Sequence, residues 1–368
     1  MATGKFGRFF KKFLITLNTI VAGLFLIACL VPYLNPSTWW FMGFLGLAFP
    51  YLSLLLVFSI IFWWVVKPAL SLIPIITLLI GLKQLSVLFA VHKFETFTEK
   101  KDSRHIRIVD WNVRSLRGLS SKPDKKRIDR ATVPETIINR SPDIVCLQEF
   151  NNSDIQNNIA RFSTKLPYYY FSKDFKRPKQ GYQSGSIIFS KYQIVDSGKI
   201  QFPGNLGESL IYADVQTSTK IIRVFTTHLQ SFKFNKEDYE GLEQIKNTKE
   251  NALPASKDIF AKMKLAFTRR GEQARIVRDA LDISPYPSVI CGDFNDVPNN
   301  FAYFHIRKDW QDAFLATSLG IGRTYLPLAP TLRIDYILPD QQFYINQFDM
   351  VDEDLSDHLM LVTDISLK

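Results

Sequence analysis

A chain of 368 residues, 46% apolar and 22% charged, is long enough for one large domain or two modest ones. Its three cysteines, Cys29, Cys146 and Cys291, lie in apolar runs and imply no disulfide framework. The net charge of +10 gives no argument for a polynucleotide partner once it is divided: residues 1–101 carry nine Lys/Arg against two Glu, which leaves 36 basic against 33 acidic residues for the rest. That small surplus is compatible with a phosphate-bearing substrate.

The chain opens as a membrane anchor, residues 1–94, in which no Asp or Glu occurs. Apolar runs from Phe13 to Leu34, Trp39 to Val66 and Ala69 to about Val91 each suffice for a hydrocarbon core that takes roughly 20 helical residues, and predict three transmembrane helices. Trp39, Trp40, Trp63 and Trp64 suit the two water interfaces of the second, and Pro50 inside it is tolerable as a kink. A cleaved signal peptide would explain only the first run. Pro74, Gly81 and Lys83 interrupt the third, whose end has the alternative of lying in the interface with Lys83 snorkelling.

Lys5, Arg8, Lys11 and Lys12 before the first span, an uncharged first loop and Lys67 at the second turn favour a cytoplasmic N-terminus. Three crossings then put residues after about 95 outside the cytoplasm, although Lys93, Lys100, Lys101, Arg104 and Arg107 pull the other way. The short loops between spans and the absence of a disulfide framework suit a bacterial inner-membrane protein with a periplasmic domain, which makes the lipid bilayer a partner and implies no protein partner.

After a linker at 95–105, residues 106–368 change to short β-branched runs and polar loops. Strands are predicted at Ile106 to Asn112, Asp143 to Gln148, Ser186 to Ser190, Leu210 to Val215, Ile221 to Thr227, Ser288 to Gly292, Arg333 to Leu338 and Leu359 to Ile365. Helices are predicted at Lys126 to Asn139, Ile155 to Leu166 and Lys257 to Leu281. Mixed strands and helices in one domain point to an α/β sandwich. Residues 230–257, polar and charged, read first as a solvated insertion; the alternative is a substrate-facing or membrane-facing flap with Phe232 and Phe234 as contacts.

Polar residues gather at the strand ends. "RIVDWNVRSL" delivers Asn112, "DIVCLQEF" Glu149, "RVFTTHLQ" His228, "VICGDFND" Asp293 and Asn295, "LRIDYIL" Asp335, and "LSDHLMLV" Asp357 and His358. Each alone could be a turn or cap residue; their convergence at the edge of a sheet, where α/β proteins build sites, is harder to explain that way. Glu149 with Asn112 offers the hard oxygen donors that Mg2+, or Mn2+ in its place, takes, and is the first metal site, with Asp357 a further or water-mediated ligand.

In order and context, "WN", "QE", "THL", "GDFND", "RIDYI" and "SDH" resemble the endonuclease/exonuclease/phosphatase superfamily of metal-dependent phosphoesterases, from about Ile106 to the C-terminus. The resemblance implies a four-layer sandwich of two mixed β-sheets between helices. It implies that Asp293 orients or deprotonates the attacking water, that Asn295 holds a non-bridging oxygen, and that His358 paired with Asp335 faces the phosphate. His228 would bind the phosphate or protonate the leaving group, whereas His92, His105 and His305 lack such contexts. Two positions depart from the pattern: Arg114 stands where the abasic-endonuclease branch usually has an acid, and Tyr182 only roughly matches a phosphate-contacting position. The expected activity is a membrane-anchored Mg2+-dependent hydrolase of phosphodiester or phosphomonoester bonds in a phospholipid, a lipid-linked phosphate or nucleic acid. The rival is a non-catalytic binding module that retains the fold.

Overall fold

In the computed structural model, residues 4–92, 96–119, 123–204, 208–235, 237–241 and 252–368 are described. Two helices are long and apolar enough to cross a membrane, α1 (Lys5–Ala28) and α2 (Met42–Val66). At 1.5 Å per residue each reaches about 36 Å, more than a hydrocarbon core of about 30 Å. They run antiparallel: Ser59 donates to Asn18 Oδ1 at 2.6 Å, and the Phe25 and Phe49 rings stack at 4.9 Å.

The third predicted span is not one helix. It is a pair, α3 (Pro68–Ile80) and α4 (Leu82–Leu88), bent by 70°. Gly81 forms the break with φ −87° and ψ 10°, and a Cβ there would press on the Phe25 ring and Cys29 Sγ. Close packing against α1 therefore fixes a residue without a side chain at the point where the helix stops. One turn on, Gln84 Nε2 donates to Cys29 O at 3.0 Å, satisfying a carbonyl that the end of α1 leaves without a helical partner.

The remainder holds two facing sheets. The first takes β1 (Ile106–Asn112), β2 (Ile144–Asn152), β3 (Tyr168–Phe171), β4 (Phe175–Arg177) and β5 (Tyr182–Ser190). The second takes β6 (Ile194–Gln201), β7 (Ser209–Gln216), β8 (Ile221–His228), β9 (Ser288–Asp293) and β10 (Asp335–Pro339). Finally β11 (Phe343–Val351) and β12 (Met360–Leu367) return to the first sheet, in the order β11-β12-β1-β2-β5-β3 with β4 also on β5; the second runs β10-β9-β8-β7-β6. Ile108, Cys146 and Ile188 from one sheet meet Ala213, Val224 and Cys291 from the other in a fully buried core. Helix α5 (Pro123–Asn139) covers the outside of the first sheet through Val133 and Ile137. Helices α6 (Ala252–Asp282) and α7 (Phe301–Arg307) cover the second through Ala274, Val277, Ala302 and Ile306. All seven residues of β1 are buried, as expected for a strand covered on both faces.

The helix predicted over Ile155 to Leu166 shrinks to a single turn, Ala160–Ser163. Asn157 Oδ1 accepts the Ala160 N–H and Asn158 Nδ2 donates to Asn151 O at 2.8 Å, so these side chains compete with helical bonding upstream. The strand predicted from Arg333 begins at Asp335, because Arg333 turns away to pair with Asp312 at 2.7 Å and to donate to Val87 O at 2.6 Å.

That last contact belongs to a docked anchor. Asn299 Nδ2 donates to Gln84 O at 3.0 Å, and Ala90–Val91 pairs with Leu319–Gly320 as a two-residue strand ladder. Gly43 faces the Phe267 ring, Gly46 faces Asn300 and Gly271 faces Pro36, each so closely that a Cβ would collide. The expected linker is also tied down along its described part: Arg107 donates to Thr98 O and Glu99 O, and Phe97 lies under its guanidinium at 4.8 Å.

Candidate active site

Strand register brings the predicted residues to one edge. β1 and β2 are parallel, with Asn112 opposite Gln148; β8 and β9 are parallel, with Asp293 opposite His228. β10 runs against β9 and puts Asp335 opposite Asp293, while β12 runs against β1 and begins just after His358. Gly292 makes the β8–β9 approach feasible: its φ is +144°, and a Cβ would collide with Thr227 O.

The loop after β9 divides its side chains. Phe294 is fully buried and packs on Tyr336 at 5.0 Å. Asp296 turns the other way, accepting from Asn300 Nδ2 at 2.6 Å and from the Ala302 N–H at the start of α7. Asn295 takes a left-handed φ of 51°, so its N–H donates to Asp293 Oδ1 at 2.8 Å and its amide to Leu229 O at 3.0 Å. The loop thus anchors itself through Phe294 and Asp296 and leaves Asp293 and Asn295 on a cleft.

Asp293 is the hub. Its Oδ2 accepts from Asn112 Nδ2 at 3.0 Å and lies 3.5 Å from His228 Nε2 and 3.8 Å from His358 Nε2. Burial, then the neighbouring Asp335 carboxylate, push Asp293 up to about 6 against the opposing pull of the two histidines. Behind it, His358 Nδ1 sits 3.0 Å from both oxygens of Asp335, and Trp111 Nε1 donates to His358 O at 2.8 Å. Burial alone would lower the His358 pKa, but the Asp335 and Asp293 carboxylates outweigh it and raise it to about 10. Below the site, burial pushes the Asp110 carboxyl well above the usual carboxylate range, against the opposing hydrogen bond from Gln148 Nε2, which donates to it at 2.7 Å.

Glu149 owes its place to an irregularity. The β2–β5 register slips between Leu147 and Phe150, and Glu149 takes φ 53°, which swings its carboxylate out of the buried alternation to the cleft. Its Oε1 is 3.5 Å from Asn112 Nδ2, and no Lys, Arg or His pairs with it among the described residues. A carboxylate so placed beside Asn112 and Asp357 suits a hard divalent cation. Asp293, Asp335 and His358 also offer atoms within 4.8 Å of one another. In that group both Asp335 oxygens are already engaged by His358 Nδ1 at 3.0 Å.

The cleft, about 310 Å³, is lined by Asn112, Glu149, His228, Asp293, Asn295, Asp357 and His358, with Asp335 directly behind His358. Tyr182 is not brought there: it starts β5 and meets the Phe175 ring at 6.4 Å. Sequence reasoning missed several lining residues. Tyr325 meets the His358 ring in a tilted contact at 4.8 Å and shares a hydroxyl contact with Tyr239 at 2.9 Å, a pairing no local motif announces. Arg114, noted only as a departure, lies 3.4 Å from Asp357 Oδ2. Phe232, Lys233, Phe234 and Tyr239 line the cleft as well, so the described start of the 230–257 segment is not a merely solvated insertion; residues 236 and 242–251 lie outside the described residues. Leu47, from membrane helix α2, completes the wall.

Two facing sheets between helical layers, with their polar side chains gathered at one shared edge, define an α/β sandwich with a polar cleft at the sheet edge. The model of the Endonuclease/Exonuclease/phosphatase family matches residues 111–358, most of the chain, and the chain belongs to that family, whose members hydrolyse phosphoester bonds. A second model, described as a domain of unknown function, matches residues 11–88. No curated protein matches the sequence. Among solved structures, an endonuclease/exonuclease/phosphatase from Beutenbergia cavernae superposes with a TM-score of 0.50 at 20% identity, covering 72% of this chain and 72% of that one. The human Nocturnin catalytic domain gives 0.48 at 18% over 72% and 95%, and an endonuclease/exonuclease/phosphatase from Bacteroides vulgatus 0.48 at 19% over 72% and 99%. At such identities the likeness is one of fold.

Proposed function

We propose that the chain is a membrane-anchored, divalent-metal-dependent phosphodiesterase acting on a phospholipid or another lipid-linked phosphate. The observation that carries the hydrolytic reading is Asp293, buried yet facing the cleft between His228, His358 and Asn112. Glu149, Asn112 and Asp357 would hold Mg2+ or Mn2+, which when bound neutralises phosphoryl oxygens and positions the attacking water. The protein's own groups supply the proton transfers. Asp293 Oδ2 takes a proton from the water as its oxygen bonds to phosphorus. His358, charged through its pairing with Asp335, donates Nε2–H to the developing negative oxygen, and Asn295 stands beside it. The phosphorus–oxygen bond to the leaving group breaks as His228 hands that oxygen a proton, with no covalent intermediate.

Lipid is favoured over nucleic acid because the cleft is partly built from the anchor. Leu47 of α2 faces it together with Phe232, Phe234 and Leu328, and Tyr51 of the same helix lies 3.5 Å from Thr331. A phosphate reaching Asp293 from the side of α2 would travel along apolar wall. The test is headgroup release from phospholipid vesicles by the full-length protein with Mg2+ or chelator, beside plasmid DNA and RNA. Metal-dependent lipid turnover that falls at least about a thousandfold in Asp293→Asn and His358→Ala is expected. Cleavage of DNA or RNA with lipids untouched would overturn the substrate reading, and turnover that survives both substitutions would overturn the site.

The anchor's geometry also supports an external catalytic domain. α1 and α2 are antiparallel and α3 returns from Lys67 toward the level of Phe25 and Cys29, so the domain sits at the end opposite Arg8, Lys11, Lys12 and Lys67. With those cations on the cytoplasmic side, the bent pair counts as a third crossing and the domain is periplasmic in a bacterial inner membrane.

A further inference from the structure

A second concavity, of about 670 Å³, lies away from the cleft, at the seam between anchor and domain. One side is built by Pro32, Tyr33 and Lys83, the other by Arg275, Phe304 and Arg307. Lys308 adds a fourth cation and Asp309 is the sole carboxylate of the lining. The cations are not equivalent. Lys308 is 3.4 Å from Asp282, and Arg307 donates through Nε to Trp310 O at 3.1 Å. Lys83 instead stands 5.3 Å over the Tyr33 ring, and among the described residues neither it nor Arg275 has a carboxylate partner.

Depth gives this charge its meaning. Lys83 is two residues past Gly81, which packs on Phe25 and Cys29 at the end of α1, so it leaves the bundle where hydrocarbon gives way to headgroups. Tyr33 is half exposed and its ring meets Phe304 of the domain at 6.2 Å, an amphipathic side chain at the level where aromatic residues mark the interface. A crevice with cations at its rim, apolar rings behind them and a bilayer at its mouth complements one kind of occupant.

We infer that this crevice binds the headgroup phosphate of an anionic phospholipid from the leaflet beside the domain, with Lys83 and Arg275 as its principal contacts. The site is remote from Asp293 and stands independently of the hydrolytic reading. Bound lipid would bridge anchor and domain and hold the seam closed.

The test uses the full-length protein in detergent micelles with chelator present to prevent turnover. Its thermal unfolding and native mass spectra are followed as phosphatidylglycerol, phosphatidylcholine or inorganic phosphate is added. Phosphatidylglycerol is expected to raise the unfolding temperature and remain bound, phosphatidylcholine to do neither, and the double variant Lys83→Gln/Arg275→Gln to bind phosphatidylglycerol roughly 30-fold more weakly. Equal binding of the two lipids, or unchanged phosphatidylglycerol affinity in the double variant, would overturn the site. Equal stabilisation by millimolar inorganic phosphate would reassign it to a free anion. The comparison of lipids on the unaltered protein decides the question even if the variant fails to fold.

Discussion

Asp293 and His358 share a carboxylate neighbour, Asp335, and their titrations set opposite limits on activity. Asp293, raised to about 6, must be ionised to accept a proton, so kcat/KM rises as pH climbs through about 6. His358, raised to about 10, must stay charged to donate, so kcat/KM falls as pH passes about 10. Replacing Asp335 by Asn removes the carboxylate paired with His358 Nδ1, and the alkaline limb should move to lower pH; a pH–rate profile on a soluble diester checks it, and an unmoved limb would separate His358 from that limb. At this scale the sequence was most informative where residue type and chemistry coincide. Asn112, Glu149, His228, Asp293, Asn295, Asp357 and His358 all reach one cleft because each follows or precedes a strand with a strong apolar run. Tyr182 failed because a lone tyrosine in a variable loop has no register to fix it, and Tyr325 was invisible because its partner, His358, lies 33 residues on in sequence and meets it only through an isolated bridge.

β8 and β9 lie side by side only because residue 292 has no Cβ, and the hub depends on that spacing. Gly292→Ala should cost roughly 2–4 kcal/mol, from the left-handed φ together with the collision on Thr227 O. Urea unfolding would measure it; a loss below about 1 kcal/mol would mean the strands can part without penalty. Central strands were legible as continuous β-branched runs, since burial on both faces leaves no polar alternation to confuse. Edge strands other than β10 were not. β6, "IVDSGKIQ", alternates with exposure and contains Gly198, and β11 carries polar residues on a half-solvated face, so neither has a clean apolar signature. In the third membrane segment the sequence marked Gly81 as an interruption, but hydropathy could not register the 70° bend that packing against Phe25 accompanies.

Anchor and domain meet through glycines, anchor carbonyls that accept from Asn299 and Arg333, and the pairing of Ala90–Val91 with Leu319–Gly320, which is more than a tether requires. Gly46→Leu would drive a side chain into Asn300 and spoil that seat. Hydrolysis of phospholipid in vesicles should then fall about tenfold or more while hydrolysis of a short soluble diester stays within about twofold. Equal losses on both would place the damage in the catalytic residues instead. A reporter fused after residue 101 should be active only outside the cytoplasm; cytoplasmic activity would reduce the bent pair to a surface element and leave two crossings. Composition alone separated anchor from domain, but their docking rests on Gly43, Gly46 and Gly271, which read in sequence as ordinary helix glycines.

The 70° elbow at Gly81 also sets a height. After it the chain no longer climbs away from the bilayer; α4 lies across the end of the bundle, and Gln84, Val87 and Ala90 fasten the domain to that shelf. An enzyme on a swinging tether samples every altitude above a membrane. On the reading proposed above, a domain fastened to that shelf would stand at a fixed elevation and would select a phosphate by how far it stands from the acyl chains before any contact inside the cleft judges what it is attached to.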